Sequence, residues 1–170
     1  MIEMMILVDQ NDNEIGTLPK LETHEKGLLH RAFSIFIFNN QGQMLLQQRA
    51  AAKYHSPLLW TNACCSHPRL GETVLQAAQR RLQEEMGFVT GLTPKFSFIY
   101  KAEFDNGLTE HELDHVLVGT FDGTPVINKE EVEDYKWMSM NELNKDMMVN
   151  PHLYTVWFTI CMNEYLNHLK

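Results

Sequence analysis

Apolar positions along this chain recur with two periods, one marking strands and the other helices. Met4 to Val8 is a short apolar run, Asp9 to Glu14 is a polar turn and Ile15 to Leu18 is apolar again, so the opening segment reads as a small hairpin. Ala32 to Phe38 is almost continuously apolar and rich in aromatic and β-branched residues, as a strand covered on both faces requires. Asn39-Asn40-Gln41-Gly42 turns the chain and Met44 to Gln48 resumes as a strand, a hairpin at the predicted sheet centre. The period then changes. Leu75, Ala78, Leu82 and Met86 recur at helical spacing, the buried face of a helix that Gly71-Glu72 opens and Gly87 closes. Lys95 to Phe104 is strand-like, Asp105-Asn106-Gly107 turns, and Glu110 to His115 leads into the apolar strand Val116 to Phe121. After a turn at Asp122-Gly123-Thr124-Pro125 come a strand over Val132 to Trp137 and a short helix over Ser139 to Asp146, capped by Ser139 with Glu142. Asn150 and Pro151 start a last helix whose inward face is Leu153, Val156, Trp157, Ile160, Cys161 and Tyr165. No repeat or low-complexity tract interrupts this order, and 1–170 is expected to be one domain.

Composition narrows the class of function. With 44% hydrophobic residues in 170 the chain can bury a sizeable core. A formal net charge of -8 argues against a general nucleic-acid or anionic-membrane surface, so an anionic substrate must be held by local cations or metal. No apolar run approaches the ~20 residues of a membrane span, and the N-terminus lacks a charged segment followed by a long apolar one. Cytoplasmic residence is therefore expected, with a small molecule as partner and the chain a monomer or weak dimer. Cys64, Cys65 and Cys161 are odd in number and two are adjacent, which predicts reduced thiols rather than a disulfide framework.

Chemistry gathers in Trp60-Thr61-Asn62-Ala63-Cys64-Cys65-Ser66-His67-Pro68, where thiols and an imidazole precede a carboxylate-rich helix. His24 and His30 flank a Gly-containing, mobile-looking segment and read either as metal ligands or as exposed histidines. Arg49 and Lys53, just ahead of the thiols, are anion binders or solubilising charges. If Glu110 to His115 is extended, Glu110 and Glu112 share a face and His111 takes the other. Two carboxylates on one face repel unless a metal or a shared proton holds them, or they form a solvated strand edge. Arg81 and Glu85 stand at i,i+4, which by itself describes a surface ion pair. By helical spacing alone Trp157 is a core residue.

Ser66 to Gly87, with Glu72 and Arg80-Arg81-Leu82-Gln83-Glu84-Glu85-Met86-Gly87, resembles the Nudix box, a loop-helix-loop for divalent metal and diphosphate. Arg81 stands where Nudix hydrolases carry a metal-gathering Glu, and Ser66 where Gly is usual. With His24, His30 and Glu110-His111-Glu112 in the same order, the chain from about Lys20 to Trp157 resembles the type I isopentenyl diphosphate isomerases, a Nudix branch. The resemblance implies an α/β (α+β) fold, a Nudix-like mixed β-sheet sandwiched between helices with a small N-terminal β extension. It implies His24, His30, His67, Glu110 and Glu112 as ligands of one Zn²⁺ or Mn²⁺, with Glu85 helping to hold Mg²⁺ on the substrate diphosphate. Lys20, Arg49, Lys53 and Arg81 would contact that diphosphate. Cys65, reachable as thiolate, and Glu112 would exchange protons with the C5 chain, Tyr100 would hydrogen-bond the acid and Trp157 would face the cation. Cys64 is then a packing residue. Two rivals make different demands. A Nudix hydrolase of a nucleoside diphosphate derivative has no use for Cys65 and should have Glu at position 81, and a structural zinc protein leaves the cations unexplained.

Overall fold

A computed structural model describes residues 2–53 and 55–169. The opening hairpin forms as expected, β1 (Met4–Val8) antiparallel to β2 (Glu14–Pro19). Where the sequence suggested a mobile segment there is a short helix, α1 (Lys20–Lys26). Thr23 Oγ1 donates to the Pro19 carbonyl at 2.9 Å, and Gly27 ends the helix in the left-handed region at φ 64°. His24 is fully buried by this helix, so it is not one of the exposed histidines the bland alternative describes.

β3 (His30–Phe38) is the axis of the sheet and is buried on both faces. It pairs in parallel along its whole length with β8 (Thr109–Thr120), which in turn pairs antiparallel with β7 (Leu92–Glu103). The predicted hairpin with β4 (Met44–Arg49) is paired at a single position, Phe38 opposite Met44. From there the strands diverge, because β4 takes β9 (Val132–Met138) as its long partner. The gap is filled by the thiol-bearing stretch. β5 (Trp60–Thr61) pairs with β4, and β6 (Cys64–Ser66) pairs with β3. Between them the Asn62 side chain substitutes for the ladder, its Nδ2 donating to the Ile35 carbonyl at 2.9 Å and the Cys64 carbonyl at 3.0 Å.

Helices cover both faces of this mixed sheet. On one lies α2 (Val74–Met86), which starts later than its sequence suggests. Thr73 is the N-cap and forms a capping box with Gln76, which leaves Glu72 outside, chelated by Arg80 at 2.7 and 2.8 Å. Ala77, Ala78, Leu82 and Met86 pack on Phe33, Ile35 and Ile37, whereas Leu75 is 39% exposed. Gly87 closes α2 at φ 73°, and a Cβ there would stand 2.3 Å from the Val126 carbonyl, so glycine is required twice over. On the other face α3 (Met140–Val149) is capped by Ser139, whose Oγ accepts from the Glu142 amide at 3.2 Å.

The last helix departs from expectation. Asn150 and Pro151 open only a 3₁₀ turn (Pro151–Leu153), and α4 (Val156–Glu164) starts after Thr155. The chain is extended at this break because the Thr155 amide donates to the Trp60 carbonyl at 3.0 Å and its hydroxyl to Thr61 Oγ1 at 2.9 Å. Leu153 and Val156 are consequently exposed, and Trp157, Phe158, Cys161 and Met162 are the buried set. Phe158, fully buried, stacks on Phe36 at 6.0 Å and contributes about 1.5–3 kcal/mol by burial.

Candidate active site

Strand alternation separates the two adjacent thiols. Cys64 lies opposite Ile35 and points at α2, while Cys65 lies opposite Ser34 and points at the α4 face. Cys64 is fully buried, and its thiol donates to Glu85 Oε2 at 3.1 Å. It therefore does more than fill space. Cys65 accepts from Trp157 Nε1 at 3.0 Å and lies 3.1 Å from Asn62 Oδ1 and 3.6 Å from Ser34 Oγ. Burial, and next the Asp114 carboxyl, push the Cys65 thiol up to about 12, which favours the protonated thiol.

The same alternation on β8 turns Glu110, Glu112 and Asp114 to one face and His111 to the other, where its Nδ1 lies 3.2 Å from the Gly27 carbonyl. Tyr100, opposite Glu112 on β7, reaches both carboxylates: its hydroxyl is 2.7 Å from Glu110 Oε2 and still closer to Glu112 Oε1. One phenol proton cannot serve two carboxylate oxygens, so the cluster calls for a further proton or a cation. Imidazoles supply the surroundings for a cation. His30 and His67 place Nε2 3.2 and 2.7 Å from Glu112 Oε2, and His24 places its Nε2 4.0 Å from Glu110 Oε1. His24 and His30 are oriented by Nδ1 contacts of 2.7 and 2.9 Å to the Lys20 and Leu28 carbonyls, which turns each Nε2 toward the carboxylates. Burial pulls His24 down to about 4 and also lowers His67, whereas His30 is raised, its hydrogen bond to Glu112 outweighing burial.

Ligand atoms of His24, His30, His67 and Glu112 lie within 4.8 Å of one another, and a second group joins His24, His55 and Glu110. A set of imidazoles and carboxylates fits a divalent transition metal better than a purely oxygen-seeking ion.

Beside this cluster lies a cavity of about 510 Å³ lined by Cys65, His67, Glu110, Glu112 and Trp157, and by Lys20, Arg49, Lys53 and Arg81. All four predicted anion binders therefore reach one space. Arg49 is 8% exposed and its guanidinium lies 5.2 Å from the Trp157 ring centroid. Its Nε, like that of Arg81, is buried with no hydrogen-bond partner among the described residues. Both guanidinium groups belong to residues that line the cavity, where they suit an incoming anion. Glu131 occupies that end, bridging Lys53 and Arg81, the latter at 3.3 Å. Arg81 also meets Glu85 at 3.1 Å, and because Glu85 is only 2% exposed the pair is not the surface ion pair that spacing alone describes. Glu85 does not line the cavity and belongs to neither group of ligand atoms.

Three residues escaped the sequence. His55 and Glu131 sit in loops with no periodicity to mark them. Asp114 was findable, since it has the parity of Glu110 and Glu112; it is 1% exposed and accepts from Ser34 Oγ at 2.7 Å.

Residues 28–157 match the NUDIX domain. Isopentenyl-diphosphate Delta-isomerase 2 of Photorhabdus laumondii is 54% identical over 163 residues, covering 96% of this chain and 92% of the relative. The chain belongs to the isopentenyl-diphosphate Delta-isomerase family. A Serratia proteamaculans member, isopentenyl-diphosphate Delta-isomerase, is also 54% identical, over 96% of this chain and 92% of its own length. Among solved structures, DR0079 of Deinococcus radiodurans covers 96% of this chain and 99% of its own at a TM-score of 0.77 with 19% identity. A MutT NUDIX hydrolase from Burkholderia pseudomallei covers 81% of this chain and 98% of its own at 0.64, again with 19% identity. Those two share the fold, whereas the isomerase family shares half the residues, so a hydrolase is not favoured. The loss of a carboxylate at Arg81 accords with an isomerase family built on a NUDIX domain.

Proposed function

We propose that this chain converts isopentenyl diphosphate to dimethylallyl diphosphate, in isoprenoid biosynthesis. The observation that carries the reading is one cavity lined by the Cys65 thiol, the Glu112 carboxylate, the Trp157 ring and the cations Arg49, Lys53 and Arg81. An unactivated alkene offers no carbonyl to polarise. A proton must enter at the terminal carbon, leaving positive charge on the tertiary carbon, and a second proton must leave the neighbouring carbon. Cys65 on one side and the Tyr100-Glu112 pair on the other handle these two protons. Trp157, apolar and π-rich, faces the transient cation, an interaction worth up to about 2 kcal/mol when water is excluded. The diphosphate takes the place of Glu131 among Lys53, Arg81 and Arg49, with Lys20 at the rim.

His24, His30, His67, Glu110 and Glu112 would hold a Zn²⁺ or Mn²⁺, which would fix the carboxylates and relieve their mutual repulsion. Mg²⁺ would accompany the diphosphate, and Glu85 reaches it only if the Arg81 pair opens. Free cysteines support a reducing cytoplasm. Among the described residues no helix is long and apolar enough to cross a membrane. Every group invoked comes from one chain, so the reading needs no second copy. The test is incubation with isopentenyl diphosphate and Mg²⁺ in heavy water. Dimethylallyl diphosphate with deuterium in its new methyl group is expected; released phosphate without isomer would instead make the chain a hydrolase.

A further inference from the structure

Glu131 stands immediately before β9 and lines the cavity at its cationic end. Its amide donates to the Asn128 carbonyl at 2.9 Å and its carbonyl accepts from the Ala50 amide at 3.2 Å, which pins its backbone beside the end of β4. Val132, the next residue, pairs with Arg49, so the β4–β9 ladder brings Arg49 and Glu131 to the same space. The Glu131 side chain is 27% exposed, and a single oxygen, Oε2, accepts from Lys53 Nζ and lies 3.3 Å from Arg81 Nη2. Burial pushes its pKa up, but the hydrogen bond from Lys53 and the charges of Lys53 and Arg81 outweigh burial and hold it below the usual carboxylate range.

Lys53 and Arg81 are cations that the diphosphate would take, and a diphosphate that takes them leaves an ionised carboxylate beside a polyanion. Like charges that close repel unless a cation stands between them. Mg²⁺ suits that place, since it binds through one or two carboxylates together with substrate phosphates and keeps water on its other positions. Glu85 is less open to it: its Oε2 meets both the Cys64 thiol and Arg81 at 3.1 Å, and the residue is only 2% exposed. Glu131 is tethered by its backbone yet partly open at its carboxylate, and it faces the cavity.

We propose that Glu131 is a further Mg²⁺-binding residue, paired with Lys53 and Arg81 before the diphosphate binds and coordinating the Mg²⁺ that arrives with it. The same carboxylate then has two effects of opposite sign. It competes with a bare diphosphate for the cations, and it recruits a diphosphate that carries Mg²⁺. This inference rests on the diphosphate reading above.

The test is calorimetric binding of inorganic diphosphate at several fixed concentrations of free Mg²⁺, none included, for the wild type, Glu131→Gln, Glu131→Asp and Glu3→Gln, each checked for folding by thermal unfolding. In the wild type Mg²⁺ should tighten binding on the order of tenfold, an ordinary coupling between two ligands. Glu131→Gln should bind bare diphosphate more tightly than the wild type and lose most of the gain from Mg²⁺. Glu131→Asp, with the charge kept on a shorter arm, should recover part of that gain. Glu3→Gln removes the carboxylate that Lys20 meets at 3.3 Å on the cavity wall, and it should keep the gain in full. A wild-type affinity indifferent to Mg²⁺, or a gain as large in Glu131→Gln as in the wild type, would leave Glu131 a competing counter-ion and overturn the inference. Equal losses of the gain in Glu131→Gln and Glu3→Gln would trace to bulk charge and overturn it too. A wild type that binds no inorganic diphosphate at any Mg²⁺ concentration would fail in its own arm, removing the diphosphate reading first and this inference with it.

Discussion

The sharpest consequence of the strand alternation is that the adjacent thiols should fail in different ways. In Cys65→Ala a group facing the cavity is lost, and the Trp157 Nε1 donor loses its acceptor while β6 keeps its pairing with β3. Product formation should fall at least 10²-fold, the scale of a positioned proton-transfer group, with the fold and diphosphate binding retained. In Cys64→Ala the substrate loses no contact, but two stabilising terms disappear. One is the burial of a sulfur-sized volume in the α2 core, about 1 kcal/mol by comparison with other small core truncations. The other is a hydrogen bond to the buried Glu85 carboxylate, for which charged bonds suggest about 1.5–3 kcal/mol, discounted because Arg81 still pairs with Glu85 at 3.1 Å. The sum is about 2–3 kcal/mol, or ~4–12 °C in Tm for a chain of this size. Cys64→Ser, which keeps a donor, should recover part of it. Thermal unfolding and turnover measured on the same samples decide the matter. Were Cys64→Ala inactive and Cys65→Ala active, the register of β6 on β3 would be wrong, and the placement of His67 with it.

Other outcomes are expected. His67→Ala should lower bound transition metal and turnover together, measured by elemental analysis and product formation; full metal with full turnover in that variant would remove it from the ligand set. Trp157→Phe should retain more activity than Trp157→Ala at comparable folded stability, because a ring remains against the cavity although the Nε1 donor is gone. Equal turnover in all three proteins would return Trp157 to the core. Gly87→Ala forces a left-handed alanine and a 2.3 Å contact with the Val126 carbonyl, so about 2–4 kcal/mol of stability should be lost in chemical denaturation. A loss under about 0.5 kcal/mol would show that the loop yields freely, in the range of an ordinary surface substitution.

The sheet and the order of its elements were legible because burial on one or both faces writes a period into sequence, as in Ala32 to Phe38 and Val132 to Trp137. The His and Glu cluster was legible as residue types and parity: Glu110 and Glu112 share a face with His111 on the other. What could not be read was set by tertiary contact. α1 is short, with its stability drawn from the sheet beneath it rather than from a periodic face. The break between Leu153 and Val156 is set by hydrogen bonds from Thr155 to Trp60 and Thr61, far away in sequence. The near-absence of pairing between β3 and β4 follows from a wedge inserted later in the chain. His55 and Glu131 were invisible for the same reason, since their loops acquire meaning only beside Glu110 and Arg81.

That wedge makes which thiol faces the cavity a matter of counting. The stretch from Trp60 to Ser66 is anchored at both ends, to β4 through Trp60 and Thr61 and to β3 through Cys64, Cys65 and Ser66. With a period of two, deleting one residue at Ala63 would either pull Ser66 off its partner Phe33 or turn Cys64 toward Trp157 and Cys65 toward Glu85. Cys65 would then stand where Cys64 meets Glu85, Ser66 would take the place of Cys65, and His67 would be carried to the wrong face. Length in this segment is therefore as chemically consequential as residue identity.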